Sequence, residues 1–299
     1  MVSRIHFFPH TILGVAMKTR FFFLLLICPS ILSAQDWQSV ENILGRKGTV
    51  QGEVFKAAFP RTDLDVRIGS VQVSAGLALT SWIAFKNTSS GVVMMGDLVM
   101  LESEVRDVEE ELVRHGIDIT ALHNHIIGET PGIMYLHFMG YGQADSLAGG
   151  MKAVLSHTAT PTALPAAEQE KEGYDWSAVE KVLGKVGKKK GMLIQFGIPR
   201  AESISDMGVE IPPFMGAGTA INMQMTNGIC ATTGDFVLVP SEVQSVVKAL
   251  THNHITVTAI HNHMLFESPR LIFLHFWGTG APSVLATGLH AALQKTNSK

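Results

Sequence analysis

Two histidines separated by one residue occur twice in this chain, and each pair is followed by a glutamate and a third histidine. The two sets have the same internal spacing, with the glutamate four residues after the second histidine and the third histidine eight residues later. Neutral imidazole nitrogens are common ligands of divalent metals. The first set is His123, His125, Glu129 and His137, and the second is His261, His263, Glu267 and His275.

The spacing of the paired histidines fits a β-strand, in which residues i and i+2 point to the same face. His123 and His125 are therefore predicted to share a face with Ile117, Ile119 and Ala121. We expect the imidazoles to lie at the end of an apolar, buried strand face in both sets. The matching apolar positions of the second set are Ile255, Val257 and Ala259.

A hairpin would bring the third histidine next to this pair. If the first hairpin closes about Thr130, His123 lies opposite His137, and directly opposed Cβ atoms are about 4.5–5.5 Å apart. Closure about Ser268 would do the same for His261 and His275. Three converging imidazoles in each hairpin predict a divalent metal site, with zinc as the expected ion. Glu129 and Glu267, at the turns, are the candidate fourth ligands or general bases for metal-bound water.

Two other uses of the histidines remain open at this point. They could form a metal-free site of hydrogen-bond donors and acid–base groups, or a purely structural hydrogen-bonded cluster. Asp97 and Asp235, each in a Gly-Asp pair before a predicted strand, are expected to serve turns. Arg61 and Arg200, each after a proline, are expected to form salt bridges rather than to hold an anionic substrate.

The two sets belong to two copies of one domain. Residues 36–45 return as residues 175–184 at an offset of 139, and after one net deletion the offset becomes 138. The predicted boundaries are a first domain at 35–156 and a second at 175–299. The segment between them, 157–174, is rich in proline, alanine and charge without an apolar period, which is typical of a linker.

Each copy predicts an α+β domain, a mostly antiparallel sheet with helices packed on it. The first helix is expected to have Asp36 as N-cap and to end at Gly45, and Ser103 is expected to cap the second. In order, the first copy predicts helix 37–44, strands 82–85 and 92–100, helix 103–114, a hairpin from 117 to 138 and a helix to 155. The second copy is expected to end in helix 283–294.

The first 34 residues are predicted to be a signal peptide. Lys18 and Arg20 precede an apolar run over 21–27, and Ala34 stands at the expected cleavage edge. The run is too short for a stable membrane span, and Met17 is an alternative start. The alternative to a cleaved signal peptide is one longer, uncleaved anchor. Cys28 lacks the small preceding residue of a lipidation signal. We therefore expect a periplasmic or secreted protein with no stable membrane span in the mature chain.

Composition excludes two classes of protein. The 299 residues are 46% hydrophobic and 16% charged, with a formal net charge of −3. Such a chain is too apolar to be disordered, and it has no basic excess to neutralise nucleic-acid phosphates. A small-molecule ligand is the partner that these figures leave open.

Several motifs resemble those of the LppY/LpqO family of exported bacterial proteins. They are GIPRAE at 197–202, GDFVL at 234–238, AIHNHM at 259–264 and LHFW at 274–277. The resemblance covers nearly the whole mature chain and implies export, but it brings no established activity. The hairpin alone is similar to that of zinc acetolactate decarboxylases, where an HxH strand and a histidine of the next strand converge on zinc.

Two functions therefore follow as hypotheses. The first is a metal-dependent hydrolase or lyase acting on a small molecule. The second is a non-catalytic periplasmic protein that binds a metal or a small ligand. A closed ligand set favours the second, because a catalytic metal keeps an open coordination position.

Overall fold

The computed structural model describes Met1 and residues 37–162 and 173–299. The predicted signal peptide and the Asp36 cap lie outside the described residues, as does most of the predicted linker. The described part contains both copies of the repeat, which make up one compact unit.

The first repeat alternates short helices with antiparallel strands. Its first helix ends at Gly45, which has a left-handed φ of 67° as predicted for the helix stop. The elements are α1 Gln38–Leu44, β1 Gly48–Gln51, β2 Val54–Pro60, β3 Val66–Ile68, β4 Val71–Val73, β5 Thr80–Thr88, β6 Gly91–Leu101, α2 Val105–Arg114, β7 Asp118–His123, β8 Ile133–Gly142 and α3 Ala144–Leu155.

The second repeat has the same order of elements, with one additional short strand. This strand lies in the loop that follows the paired histidines. The elements are α4 Ser177–Leu183, β9 Lys188–Lys190, β10 Leu193–Pro199, β11 Ser205–Asp206, β12 Val209–Glu210, β13 Gly218–Thr226, β14 Ile229–Leu238, α5 Val243–His252, β15 Thr256–His261, β16 Glu267–Ser268, β17 Ile272–Gly280 and α6 Pro282–Leu293.

Each repeat forms a six-stranded antiparallel sheet. The strand order is β1-β2-β5-β6-β8-β7 in the first repeat and the equivalent β9-β10-β13-β14-β17-β15 in the second. The predicted α+β class and the duplication are thereby confirmed. The strands that carry the paired histidines, β7 and β15, are edge strands of their sheets, so their outer edges are available to meet the other repeat.

Helices cover one face of each sheet and bury its apolar side chains. In the first repeat Trp37 stacks on Phe55 with ring centroids 5.4 Å apart, and Val108 and Leu112 of α2 are fully buried against the same core. Ser103 does not cap α2, contrary to expectation. The Glu104 carboxylate accepts the Leu101 amide at 2.8 Å, and a 3-10 turn over Glu102–Glu104 precedes the α-helix.

The other face of each sheet packs against the other repeat. We define arm 1 as residues 61–79 and arm 2 as residues 200–217. Gln224 of β13 receives the Ser74 amide at 3.1 Å and donates to the Gln72 carbonyl at 2.8 Å. The apolar residues of arm 1 cluster with Ala231, and those of arm 2 with Val54, Ala84, Val93 and Met95.

Each arm thus packs against the sheet of the other repeat. Together the two arms bury the sheet faces that the helices do not cover. The two repeats therefore share apolar cores in addition to their own. Among the described residues, no helix is long and apolar enough to cross a bilayer.

Candidate functional site

The third histidine of each set stands in the middle of a central strand, on the face turned toward the other repeat. His137 of β8 and His275 of β17 are each only 2% exposed. The strand register pairs His137 with Ala121 of β7, and it pairs His123 with Tyr135. The predicted direct pairing of His123 with His137 is therefore wrong by two residues.

The second hairpin shows the same difference, since His261 pairs with Phe273 rather than with His275. The reason lies in the connection between the strands. In the first repeat Thr130 forms a bridge with Arg67 of arm 1 instead of closing a tight hairpin. β7 ends at His123, so His125 lies beyond the strand. A shift of two residues preserves the side-chain face, which is why the histidines still converge.

A β-bulge separates the histidines from the apolar residues that precede them. The register of β7 changes between Ile119 and Ala121, and Thr120 is the extra residue. Ile119 pairs with Phe138 and faces the helices, whereas Ala121 and His123 face the other repeat. The prediction that Ile117 and Ile119 share a face with the histidines is therefore wrong, because a bulge reverses the alternation. The same change occurs between Val257 and Ala259.

All six histidines meet at the boundary between the two repeats. The sequence predicted one site in each repeat, but the structure brings both sets into a single cluster, which we call the six-histidine cluster. Each ring of one repeat lies against a ring of the other. The ring centroids are 3.5 Å apart for His123 and His261, 3.6 Å for His137 and His263, and 3.8 Å for His125 and His275.

The two nitrogens of the histidine rings differ in their hydrogen bonding. Nδ1 of His123, His261 and His275 lies 3.1, 3.0 and 2.9 Å from the carbonyl oxygens of Asn124, Asn262 and Gly234. Donation from Nδ1 leaves a lone pair on Nε2. The Nε2 atoms of all six histidines are buried and have no hydrogen-bond partner.

These nitrogens satisfy the distance requirement for a metal site in two overlapping groups. In each group the ligand atoms lie within 4.8 Å of one another. His123 belongs to both groups. The first group is His123, His261, His263 and His275, and the second is His123, His125 and His137.

Burial keeps these imidazoles neutral. Desolvation lowers the pKa of His123 to about 4 and that of His261 to about 3. The pKa values of the other four are also far below the usual range, first through desolvation and then through repulsion by neighbouring imidazoles. Neutral imidazole is the form that binds a metal ion.

Two buried carboxyl groups flank the cluster. Asp97 Oδ2 lies 3.6 Å from Nε2 of His125, and Asp235 Oδ2 lies 3.4 Å from Nε2 of His263. Oδ1 of each aspartate has no hydrogen-bond partner. Desolvation raises the pKa of both carboxyl groups, and for Asp97 the nearby Asp235 raises it further.

Asp97 and Asp235 were expected to serve turns, and this prediction is wrong. Asp97 lies within β6 and pairs directly with His137, and Asp235 lies within β14 and pairs with His275. The signal that could have found Asp97 is its place inside an apolar run, since residues 92–96 and 98–101 of β6 are all apolar or glycine. A charged residue inside a buried strand is unfavourable unless an opposite charge or a hydrogen-bonding group pairs with it.

Hydrogen bonds between the repeats hold the loops that carry the paired histidines. The hydroxyl of the bulged Thr120 donates to the His263 carbonyl at 2.6 Å, and the Thr258 hydroxyl donates to the His125 carbonyl at 2.6 Å. The side-chain amide of Asn262 also donates to the Thr120 carbonyl at 3.0 Å. The bulges therefore position the second histidine of each pair across the boundary.

The two turn glutamates occupy structural positions. Glu129 accepts a hydrogen bond from the Ile133 amide at 3.2 Å, and Glu267 accepts one from the Leu271 amide at 3.0 Å. Glu267 also contacts Arg270 at 3.3 Å. Within the described part of the chain, neither glutamate belongs to the groups whose ligand atoms converge.

Arg61 and Arg200 form buried salt bridges, as expected. Arg61 contacts Asp63 at 2.9 Å and Glu104 at 2.8 Å, and its side chain is fully buried. Arg200 makes the equivalent contacts with Glu202 and Glu242 at 2.9 and 2.7 Å.

The two halves of the site differ in one charged group. Lys56 Nζ lies 3.7 Å from the centre of the Trp82 ring and donates to the Phe214 carbonyl at 3.2 Å. Desolvation lowers the pKa of Lys56 to about 8, and the charge of Asp97 opposes this shift. The equivalent position in the second repeat is Gln195, so the second repeat has no cation at this position.

Comparison with known proteins identifies both repeats. The sequence profile described as "Domain of Unknown Function (DUF1259)" matches residues 38–157 and again residues 177–295. No curated protein matches the chain.

Two solved structures show distant similarity. One is a trimeric bacterial microcompartment shell protein, PduB, at 11% identity, covering 84% of this chain and 91% of that one with a TM-score of 0.22. The other is EtuB from Clostridium kluyveri, at 10% identity, covering 84% and 90% of the respective chains with a TM-score of 0.21.

Proposed function

We propose that this chain, which belongs to the family of the Domain of Unknown Function (DUF1259) and carries that domain twice, binds a divalent transition metal through its six-histidine cluster. The observation that carries the proposal is the set of six buried Nε2 atoms without a hydrogen-bond partner. Imidazole is a ligand suited to zinc, copper, iron and nickel. Zinc, the ion expected from the sequence, is the first candidate.

A purely structural cluster is less consistent with this arrangement. Buried polar atoms in folded proteins are nearly always hydrogen-bonded, and each one left unpaired costs about 1–3 kcal/mol. A core histidine that serves only packing would be expected to pair both ring nitrogens or to expose one. The cluster instead places unpaired nitrogens next to one another, which is the arrangement that a shared ion would satisfy.

The carbonyl bonds of Nδ1 support the same proposal. Metal-bound histidines almost always donate their other ring N–H to a carboxylate or a carbonyl, which fixes the tautomer and the ring orientation. His123, His261 and His275 have such carbonyl partners.

Metal analysis tests the proposal. Purified full-length protein is stripped with a chelator, reloaded with Zn²⁺, desalted and analysed by plasma mass spectrometry. We expect bound zinc in the unchanged chain and in the control variant His252→Ala/His254→Ala, whose histidines lie outside the cluster. Absence of bound metal from the unchanged protein after loading would refute the proposal. The test variant carries His→Ala at 123, 125, 137, 261, 263 and 275, and is expected to bind none.

The same protein is proposed to be exported to the periplasm or secreted, on the strength of the predicted signal peptide at 1–34. N-terminal sequencing of the protein recovered from the periplasmic fraction or the medium tests this. A mature chain that begins at Gln35 is the expected result, and a chain retained in the cytoplasm with its leader would contradict it.

A metal-dependent hydrolase or lyase acting on a small molecule is the second candidate. It is favoured by the three imidazoles within each repeat, the ligand number of many catalytic zinc sites. Glu129 and Glu267 would then act as bases. Turnover of small ester or keto-acid substrates that depends on both metal and Glu267 would support this function.

A further inference from the structure

We propose that a single divalent ion, rather than one ion in each repeat, occupies the six-histidine cluster and takes ligands from both repeats. This inference rests on the proposed metal binding and goes beyond it. It makes the metal site a property of the duplicated chain, which neither repeat possesses alone. It also favours a centre that holds a metal over one that performs hydrolysis.

The spacing of the rings supports one ion. Within the first repeat the ring centroids of His123 are 5.0 Å from His125 and 5.1 Å from His137. Within the second repeat the corresponding distances are 5.0 and 4.8 Å. The pairs across the boundary are closer, at 3.5–3.8 Å. The two sets of three are therefore in van der Waals contact and do not enclose separate volumes.

His123 links the two sets directly. Its ligand nitrogen lies within 4.8 Å of those of His261, His263 and His275. An ion bound by the second repeat is therefore within reach of a ligand from the first. Four imidazoles complete the tetrahedral sphere of zinc, and His125 and His137 are the remaining donors for an ion that takes six ligands, such as Ni²⁺.

A site whose ligands all come from the protein lacks the open position that a catalytic metal uses to bind water or substrate. The inference therefore favours the binding function over the hydrolase or lyase. It also makes the ion a link between the two repeats, in addition to the exchanged arms.

The stoichiometry of binding tests the inference with the full-length chain. Stripped protein is titrated with Zn²⁺ and, separately, with Ni²⁺, and the complexes are counted by native mass spectrometry. One ion per chain is the expected result for both metals. Two ions per chain at comparable affinity would overturn the inference while leaving the proposed function intact, whereas no bound ion would remove the proposed function itself.

Two half-site variants provide a second test of the shared site. Each removes the histidines of one repeat, and each is expected to lose at least 100-fold in affinity, because a shared site needs both repeats. Retention of one ion at the original affinity in either variant would overturn the inference. The control is His252→Ala/His254→Ala. The variants are His123→Ala/His125→Ala/His137→Ala and His261→Ala/His263→Ala/His275→Ala.

X-ray absorption spectroscopy counts the imidazole ligands of the ion in the unchanged, metal-loaded protein. This measurement does not depend on whether a variant folds. Four or more imidazole nitrogens around the ion are expected, which exceeds the three that one repeat can supply. Three nitrogens with an oxygen ligand from water would contradict the shared site.

Discussion

The hydroxyl of Thr120 donates a 2.6 Å hydrogen bond to the backbone carbonyl of His263, in the other repeat. Thr258 makes the reciprocal bond to His125 with the same length. Both threonines are the extra residues of β-bulges. The bulge that interrupts each edge strand therefore also bonds that strand to the histidine-bearing loop of the other repeat. The two loops are therefore positioned by each other.

Replacement of this threonine tests the coupling. In Thr120→Val the His263 carbonyl loses its partner inside the boundary, which is expected to lower the free energy of unfolding by about 1–3 kcal/mol. The loop that carries His263 should also be less well positioned, so zinc affinity is expected to fall. Urea unfolding and metal titration measure the two effects.

Thr287→Val is the matched control, because Thr287 is exposed on α6 and bonds only within its own helix. A change within about 0.5 kcal/mol is expected there. Equal effects of the two substitutions would contradict a coupling between the repeats through Thr120.

The buried aspartates are expected to matter for the ion more than for the fold. Asp97→Asn and Asp235→Asn keep the shape of the side chain but remove the negative charge next to His125 and His263. Residues that contact metal ligands typically contribute about 10–100-fold to metal affinity. We expect a decrease of that size for each variant in zinc titrations. Unchanged affinity in both variants would show that the carboxylates do not compensate the ion.

The metal-free protein is expected to gain stability as the pH rises from about 4 to 6.5. Because the folded-state pKa values of the clustered histidines are lowered, with His123 at about 4 and His261 at about 3, the unfolded chain binds more protons below pH 6.5. Stability is therefore lost as the pH falls from 6.5 toward 4. Each such proton contributes about 1.4 kcal/mol per pH unit.

The aspartates act in the opposite direction. Because their folded-state pKa values are raised, the folded protein holds protons that the unfolded chain has released, and stability falls as the pH rises above about 4. Six histidines outweigh two aspartates between pH 4 and 6.5, so the net stability should rise over that range. Chelator-treated protein, unfolded in urea across pH 4–6.5, should show this rise. In Asp97→Asn/Asp235→Asn the rise should be steeper, because the opposing contribution is removed, and an unchanged slope would contradict the assignment.

Glu267 is expected to support the turn rather than the ion. Glu267→Ala removes the acceptor of the Leu271 amide, which is buried, and should lower the free energy of unfolding by about 1–3 kcal/mol. Metal content should stay at the level of the unchanged protein. Loss of metal without loss of stability would instead identify Glu267 as a ligand.

The arms offer a test of the association between the repeats. Gln224→Leu leaves the Ser74 amide and the Gln72 carbonyl of arm 1 without their partner. We expect a loss of about 1–3 kcal/mol in the free energy of unfolding and earlier proteolytic cleavage within residues 61–79. Gln244→Leu, at an exposed position of α5, is the control. Cleavage of arm 1 at the same rate as in the unchanged chain would argue against the anchoring role of Gln224.

Much of the fold was accessible from the sequence because it depends on local patterns and on similarity between the two copies. The strands predicted at 82–85 and 92–100 lie within β5 and β6, Gly45 predicted the end of α1, and the offset between the copies predicted the duplication. The salt bridges of Arg61 and Arg200 were also expected. The sequence predicted that the three histidines of each set converge. This holds despite an error of two residues in the strand register, because a shift of two residues leaves side chains on the same face.

The details that failed depend on partners distant in sequence. Ser103 was expected to cap α2, but it lies inside the 3-10 turn Glu102–Glu104, and the α-helix begins only at Val105. Asp97 was assigned to a turn because it follows a glycine, although the predicted strand 92–100 already contained it; its pairing with His137 depends on the neighbouring strand β8. The bulge at Thr120 gives no local signal, and its partner is a carbonyl 143 residues away.

The sequence by itself determined the duplicated α+β domain and identified the six histidines as two sets of three, because both follow from repetition and from the spacing within each set. Only the tertiary structure decided that these imidazoles form one cluster. Each repeat leaves one sheet face apolar and uncovered by helices, and the chain buries both faces by packing the repeats together and exchanging arms. That packing, driven by the burial of apolar surface, brings the two predicted sites into contact.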